Sequence, residues 1–280
     1  MKVFALTVAE GVVRERFLTP EGTRAKRQIP VGAFLLEHPA GRVLVDAGPP
    51  PVQRVLLRAI RSVRAGRFSA SSQGLPQQLA RHGVPPETIA HIVLTHLHWD
   101  HAGALREFPQ AEVHVAGAEL DALLHHGGWR LRYAGVALPA ADRIRRVDFT
   151  TGPAWGPFAH THDLFGDGQI RLVPTPGHTP GHLAVVVAPP GEPPLILCGD
   201  ACYLASALRR GTGNGSTLGR PQDRNVAVAA VTQARLRELL ELHPGARLLP
   251  SHDPEVWAEL PRWPQPLPGR DPTLVKPGKP

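Results

Sequence analysis

Two hydrophobic periods alternate along the chain. Short apolar or alternating runs, the signature of strands, occur at Lys2–Val8, Gly32–Glu37, Val43–Val45, His91–Leu94, Glu112–Val115, Ile170–Val173, Leu183–Val187, Pro194–Leu197 and Ala246–Leu249. Between them lie segments with helical spacing. Pro51–Arg64 opens on a proline that a first helical turn tolerates, and Leu75–His82 stops at Gly83. Ala118–His126 and Asn225–Leu242 complete the predicted helices. Turns such as "HPAG", "APPGEPP" and "PTPG" punctuate the runs. The pattern predicts a mixed α/β domain over residues 1–260. Arg209–Arg220 reads as a mobile loop, and the proline-rich stretch 261–280 as an extended or disordered tail.

Composition narrows the class. The chain has 280 residues, 42% hydrophobic and 20% charged, enough for a sizeable core. A net charge of +7 raises the question of nucleic acid. The arginines are dispersed (Arg14, Arg54, Arg81, Arg130, Arg171, Arg235) instead of clustered with aromatics, which argues against it. Cys198 and Cys202 form neither a disulfide framework nor a C-x-x-C pair. The opening "MKVFALTVAEGVV" is too short an apolar run for a signal sequence, and nothing approaches the ~18 apolar residues of a membrane span. A soluble cytoplasmic protein with no membrane or nucleic-acid partner is expected.

The chemistry concentrates in "IVLTHLHWDHAGAL", Ile92–Leu105, where His96, His98, Asp100 and His101 follow an apolar run. Imidazole and carboxylate at that density favour a borderline divalent metal such as zinc. Four ligand-type residues in six positions crowd one tetrahedral ion. They can serve two neighbouring ions if the chain curls, His96 and His98 facing one, Asp100 and His101 the other. A hydroxide bridging two such ions is a nucleophile at neutral pH. Further ligands are then expected where other strands end: His178 in "LVPTPGHTPGH", Asp200 in "LILCGDACY" and His252 in "RLLPSHDPE". Asp46 in "RVLVDAG" has the same placement and is assigned to hold a ligand histidine by its remaining N–H.

"THLHWDH", "TPGHTPGH", "GD" and "SHD", in this order, resemble the metallo-β-lactamase fold superfamily of metal-dependent hydrolases across Gly32–Asp253. That resemblance implies an αβ/βα sandwich, two sheets face to face with helices outside. It implies one metal on His96, His98 and His178, a second on Asp100, His101 and His252, and Asp200 bridging both. Within the superfamily the N-acyl homoserine lactonase branch is the most similar. There a tyrosine three residues after the bridging aspartate sits near the substrate carbonyl, as Tyr203 follows Asp200. The expected reaction is hydrolysis of a lactone or ester by two ions, zinc before iron, cobalt or manganese. Tyr203 would donate to the developing oxyanion, and Asp100 or the second metal would help the alkoxide leave. The branch also implies a homodimer.

Other members share these motifs. Thioesterases of the glyoxalase II type are the alternative; they resemble this chain less, since they add a C-terminal helical domain where 28 proline-rich residues follow His252 here. Mononuclear iron persulfide dioxygenases stay open on ligands alone. The segments Tyr133–Asp163 and Ala205–Asp223, where an acyl pocket would be built, match no motif. His160 and His162 lack a preceding strand and read as loop residues. His114, His125, His126 and His182 read as structural or surface groups, His182 close enough to support a ligand, and Cys202 as a packing residue.

Overall fold

A computed structural model describes residues 1–50, 67–70, 74–124, 132–133, 136–217 and 220–268. Seven strands run in chain order: β1 (Lys2–Arg14), β2 (Lys26–His38), β3 (Gly41–Val45), β4 (Arg67–Ala70), β5 (Ile89–Val93), β6 (Glu112–Ala116) and β7 (Ile144–Val147). They form one sheet in the order β4-β1-β2-β3-β5-β6-β7. A second sheet holds β8 (His162–Asp163), β9 (Ile170–Pro174), β10 (Leu183–Val187) and β11 (Leu195–Gly199). After the small hairpin of β12 (Ser216–Thr217) and β13 (Arg220–Pro221) it ends with β14 (Arg247–Pro250). Its order is β14-β11-β10-β9-β8.

The hydrophobic pattern explains how the sheets stack. Val3, Phe34, Leu36, Val45 and Val93 of the first sheet meet Leu172, Leu183, Val185, Leu197 and Leu249 of the second in one core. The alternate residues face outward. Leu6, Leu35, Leu44, Ile92 and Val113 are covered by Leu75 and Leu79 of the helix Leu75–Arg81. Val173, Ala184, Val186 and Ile196 are covered by Leu236 and Leu239 of the helix Val226–Leu242. The result is the four-layer αβ/βα sandwich expected. Because both faces of β10 are covered, its sequence "LAVVV" is continuously apolar and all five residues are buried.

Strand polarity places the chemistry. β3 and β5 are parallel. β10 runs antiparallel to both β9 and β11, and β14 is parallel to β11. β9, β11 and β14 therefore point the same way, and their C-terminal ends gather at one edge of the sandwich. A backbone bond from Leu183 N–H to Thr95 O (2.9 Å) ties that edge to the end of β5.

Several expectations need correction. The first strand runs to Arg14 instead of Val8, because a register shift between Thr7 and Ala9 lets it continue against β2. β4, β7 and β8 were not legible; all are short, and β7 and β8 close sheet edges. His162 is thus a strand residue, not a loop histidine. Among its described residues the stretch predicted as a mobile loop, Arg209–Arg220, is anchored: Arg209 and Arg210 end the helix Ala205–Arg210, and Asn214 is bonded to Asp200 O, Asp223 and Tyr203 N–H. The start of the predicted tail packs as well, with Trp263 edge-on to Phe4 and Leu267 buried and donating to Val3 O. The predicted helix Pro51–Arg64, His125 and His126 lie outside the described residues. Among the described residues no helix is long and apolar enough to cross a membrane.

Candidate metal centre

β5 stops at Val93, and the next residues are held by an aspartate in an unusual backbone state. Asp46 has φ of 63°, a left-handed conformation rare outside glycine but accessible to Asp and Asn. This aims its carboxylate at the following strand's exit. It accepts from Thr95 N (2.8 Å) and Thr95 Oγ1 (2.9 Å), and from His101 Nδ1 (2.7 Å). His98 is extended and precedes the one-turn helix Trp99–Ala102, whose first bond runs from His101 N to His98 O (3.0 Å). That turn is the curl the sequence called for. It separates His96 and His98 from Asp100 and His101.

The structure brings the predicted ligand residues into two groups. His96, His98, His178 and Asp200 form one; Asp100, His101 and His252 form the other. Asp200 faces both with different oxygens. Its Oδ2 lies 3.3 Å from His178 Nε2 and 3.9 Å from His96 Nε2. Its Oδ1 lies 3.3 Å from His101 Nε2 and 3.3 Å from His252 Nε2. Asp100 Oδ2 is 3.6 Å from His252 Nε2, and His98 Nδ1 is 3.1 Å from His178 Nε2. Asp100 is the one partly exposed member; the other six are buried.

Outer partners fix which nitrogen each ring presents. His101 donates from Nδ1 to Asp46, His252 from Nδ1 to Pro30 O (2.8 Å), and His178 Nδ1 faces Asp223 Oδ1 (3.3 Å). Each pairing turns the ring's Nε2 toward Asp200. His182 works from behind: its Nε2 accepts from Asp200 N–H (3.1 Å) and its Nδ1 donates to Thr175 Oγ1 (2.8 Å). Gly199, at φ 52°, is required here, since a Cβ would stand 2.8 Å from Thr95 Oγ1 and 2.9 Å from His182 Nε2.

Electrostatics separates the rings. Burial, reinforced by neighbouring imidazoles, pushes His96, His98 and His182 well below the ordinary histidine range. Burial opposes charge on His101 too, but Asp200 and Asp46 overcome it and raise its pKa well above that range. Asp200 and then Asp100 do the same for His252. On Asp200 burial is outweighed by His252 and His101, which hold its carboxyl well below the carboxylate range. His96 Nε2, His101 Nε2 and Asp200 Oδ1 are buried and make no hydrogen bond. Buried polar atoms left this way are costly, and converging nitrogen and carboxylate donors are what divalent ions take. The residues fit a metal pair.

Tyr203 is 1% exposed. Its ring stacks on Phe17 and stands 5.9 Å from His178 and 5.8 Å from His252, one ring from each group. Burial and then Asp200 raise its pKa well above the ordinary phenol value, so the hydroxyl stays protonated. Glu119 was missed by sequence reasoning. It is fully buried and accepts from Leu97 N (3.0 Å) and Gly181 N (3.1 Å), pinning the loop between His96 and His98 to the loop after His178. Tyr133 lies edge-on to His98 at 5.2 Å and reaches Glu119, and Arg132 bonds Gln222. An acidic residue inside the apolar helix "GAELDALL" was the available signal for Glu119. His160 is exposed and His162 lies on β8, both apart from this cluster. Cys202 packs with Cys198 in the core beneath.

Comparison with known proteins agrees with this arrangement. The N-acyl homoserine lactonase AttM of Agrobacterium fabrum is 29% identical over 259 residues, spanning 88% of this chain and 90% of that protein. An N-acyl homoserine lactone hydrolase, solved with N-hexanoyl-L-homoserine at its catalytic metal centre, superposes with a TM-score of 0.76. It is 19% identical and covers 95% of this chain and 98% of its own. AidC, a dizinc quorum-quenching lactonase, superposes with a TM-score of 0.59 at 18% identity, covering 94% and 88%. The sequence model of the metallo-beta-lactamase superfamily matches residues 28–252, from the second strand to the last of the clustered histidines. With ligand-type side chains after β5, β9, β11 and β14 converging on one carboxylate, a match over residues 28–252 makes the chain a member of the metallo-beta-lactamase superfamily.

Proposed function

We propose that this protein is a dinuclear zinc hydrolase that opens N-acyl homoserine lactones, and so quenches a quorum signal, in the cytoplasm. The observation that carries the reading is the split of Asp200, one oxygen toward His96 and His178, the other toward His101 and His252. His96, His98 and His178 would hold one ion, Asp100, His101 and His252 the other, with Asp200 shared. Two such ions supply a water acidic enough to attack at neutral pH and an electrophilic clamp on a carbonyl. The lactonase AttM at 29% identity and the dizinc lactonase AidC support the substrate class and the metal.

The chain's own residues supply the rest. Tyr203, kept protonated by burial and Asp200, donates a hydrogen bond to the carbonyl oxygen as it gains charge. Asp100, the partly exposed member of the cluster, takes the proton of the attacking water. It passes that proton to the ring oxygen as the carbon–oxygen bond breaks. Asp46 and Glu119 hold the histidine loops without touching substrate. The test is a panel of N-acyl homoserine lactones, simple lactones, aryl esters and glutathione thioesters assayed with purified protein. Turnover confined to the acyl homoserine lactones is expected; turnover of the thioester alone would overturn the assignment.

A further inference from the structure

A second histidine cluster lies across the middle of β5 and the neighbouring β6. His91 sits two residues before Val93, and His114 two before Ala116, so both share the inter-sheet face with those core residues. His91 pairs across the strands with Glu112. His91 Nδ1 is 3.2 Å from His114 Nε2 and 3.7 Å from Glu112 Oε2. We propose that His91, Glu112 and His114 form a separate divalent-cation site, of the zinc class, that ties β5 to β6.

Donor spacing carries the inference. Zinc–nitrogen bonds of about 2.0–2.1 Å in a tetrahedron set donors roughly 3.4 Å apart. The two spacings from His91 Nδ1, 3.2 and 3.7 Å, straddle that value, and the three donors all lie within 4.8 Å of one another. Both spacings also fall within the 3.1–3.9 Å range at the main centre. Two imidazoles and one carboxylate suit such ions, and the three donors leave a position for water. Both rings are neutral at physiological pH. Burial, then His91, brings His114 down to about 4, and burial lowers His91 against the pull of Glu112. Their lone pairs are therefore available without proton release.

The surroundings hold the donors in place. Arg145 pairs with Glu112 Oε1 and leaves Oε2 turned to His91. Phe165 packs edge-on against His91 at 5.2 Å and stacks on His38, whose Nε2 meets Asp167 at 2.8 Å. A simple hydrogen bond between the two imidazoles accounts for their 3.2 Å contact, and the Arg145 pair and the strand register bring Glu112 alongside; a cation would use all three donors together.

The experiment counts zinc. The full-length protein and the variants His91→Gln and Glu112→Gln are saturated with Zn²⁺, dialysed, and analysed by elemental mass spectrometry. Glu112 lies at the sheet margin with 36% of its side chain exposed, so that variant retains the fold even if substitution at His91 disturbs it. One ion fewer per chain in each variant, with hydrolytic turnover unchanged, is expected. Equal zinc content in wild type and Glu112→Gln would overturn the site, whatever the total.

Discussion

The left-handed aspartate at the end of β3 gives a prediction that separates metal chemistry from folding. Asp46→Asn keeps the shape and tolerates φ of 63°. If the amide oxygen keeps Thr95 N–H, the NH₂ group faces His101 Nδ1–H, donor against donor. The imidazole then shifts its proton to Nε2, the nitrogen that faces Asp200 Oδ1 at 3.3 Å, and loses the lone pair an ion needs. Loss of such an outer partner costs about 10–100-fold in metal affinity, or roughly 1.4–2.8 kcal/mol. The loss falls on the ion of Asp100, His101 and His252 and spares the other. Asp46→Ala behaves differently. It strands the buried Thr95 N–H, about 1–3 kcal/mol, and puts alanine in a left-handed conformation, about 1–2 kcal/mol more. It therefore destabilises even the metal-free chain. Chelator competition reads the first effect and urea unfolding in chelator the second. Two ions bound by Asp46→Asn as tightly as by wild type would refute the reasoning.

Three further outcomes follow from the same geometry. Tyr203→Phe removes one oxyanion donor, expected to lower kcat about 100-fold or more while metal content stays at the wild-type level; unchanged kcat would remove Tyr203 from the reaction. Glu119→Gln can accept from Leu97 N–H or Gly181 N–H but not both, costing about 1–3 kcal/mol in urea unfolding. An unmoved midpoint would show that the pin is dispensable. His114, at about 4 in the folded chain against 6.5 unfolded, contributes stability that is complete above 6.5 and lost as pH falls toward 4. The loss is about 3 kcal/mol by the shift of roughly 2.5 units. His114→Gln, measured in chelator, flattens that acid limb, and an unaltered limb would contradict the burial argument.

Much of this was legible in the chain because buried strands write their pattern plainly. "LAVVV" is apolar on both faces because both are covered, and His178, Asp200 and His252 each follow such a run. The curl that divides "THLHWDH" was also readable, since four donors in six positions crowd a single tetrahedral ion. What resisted reading is local or long-range. β8 has two residues and β7 is "IRRV", too short and too charged to stand out. Asn214 and Glu119 are polar residues whose meaning depends on partners 9 to 62 positions away. Leu267 and Trp263 pack although prolines surround them, because the first strand leaves Val3 O and Phe4 for them to meet.

The central claim is that two ions sharing Asp200 run a hydrolysis. The most direct measurement uses the Glu112→Gln chain, so that only this centre is counted. The protein is stripped with chelator and zinc is returned stepwise while the opening of an N-acyl homoserine lactone is followed by acid release. Turnover should rise and saturate at two ions per chain without oxygen uptake. Saturation with a single iron, oxygen consumption on a persulfide and an inert lactone would contradict it.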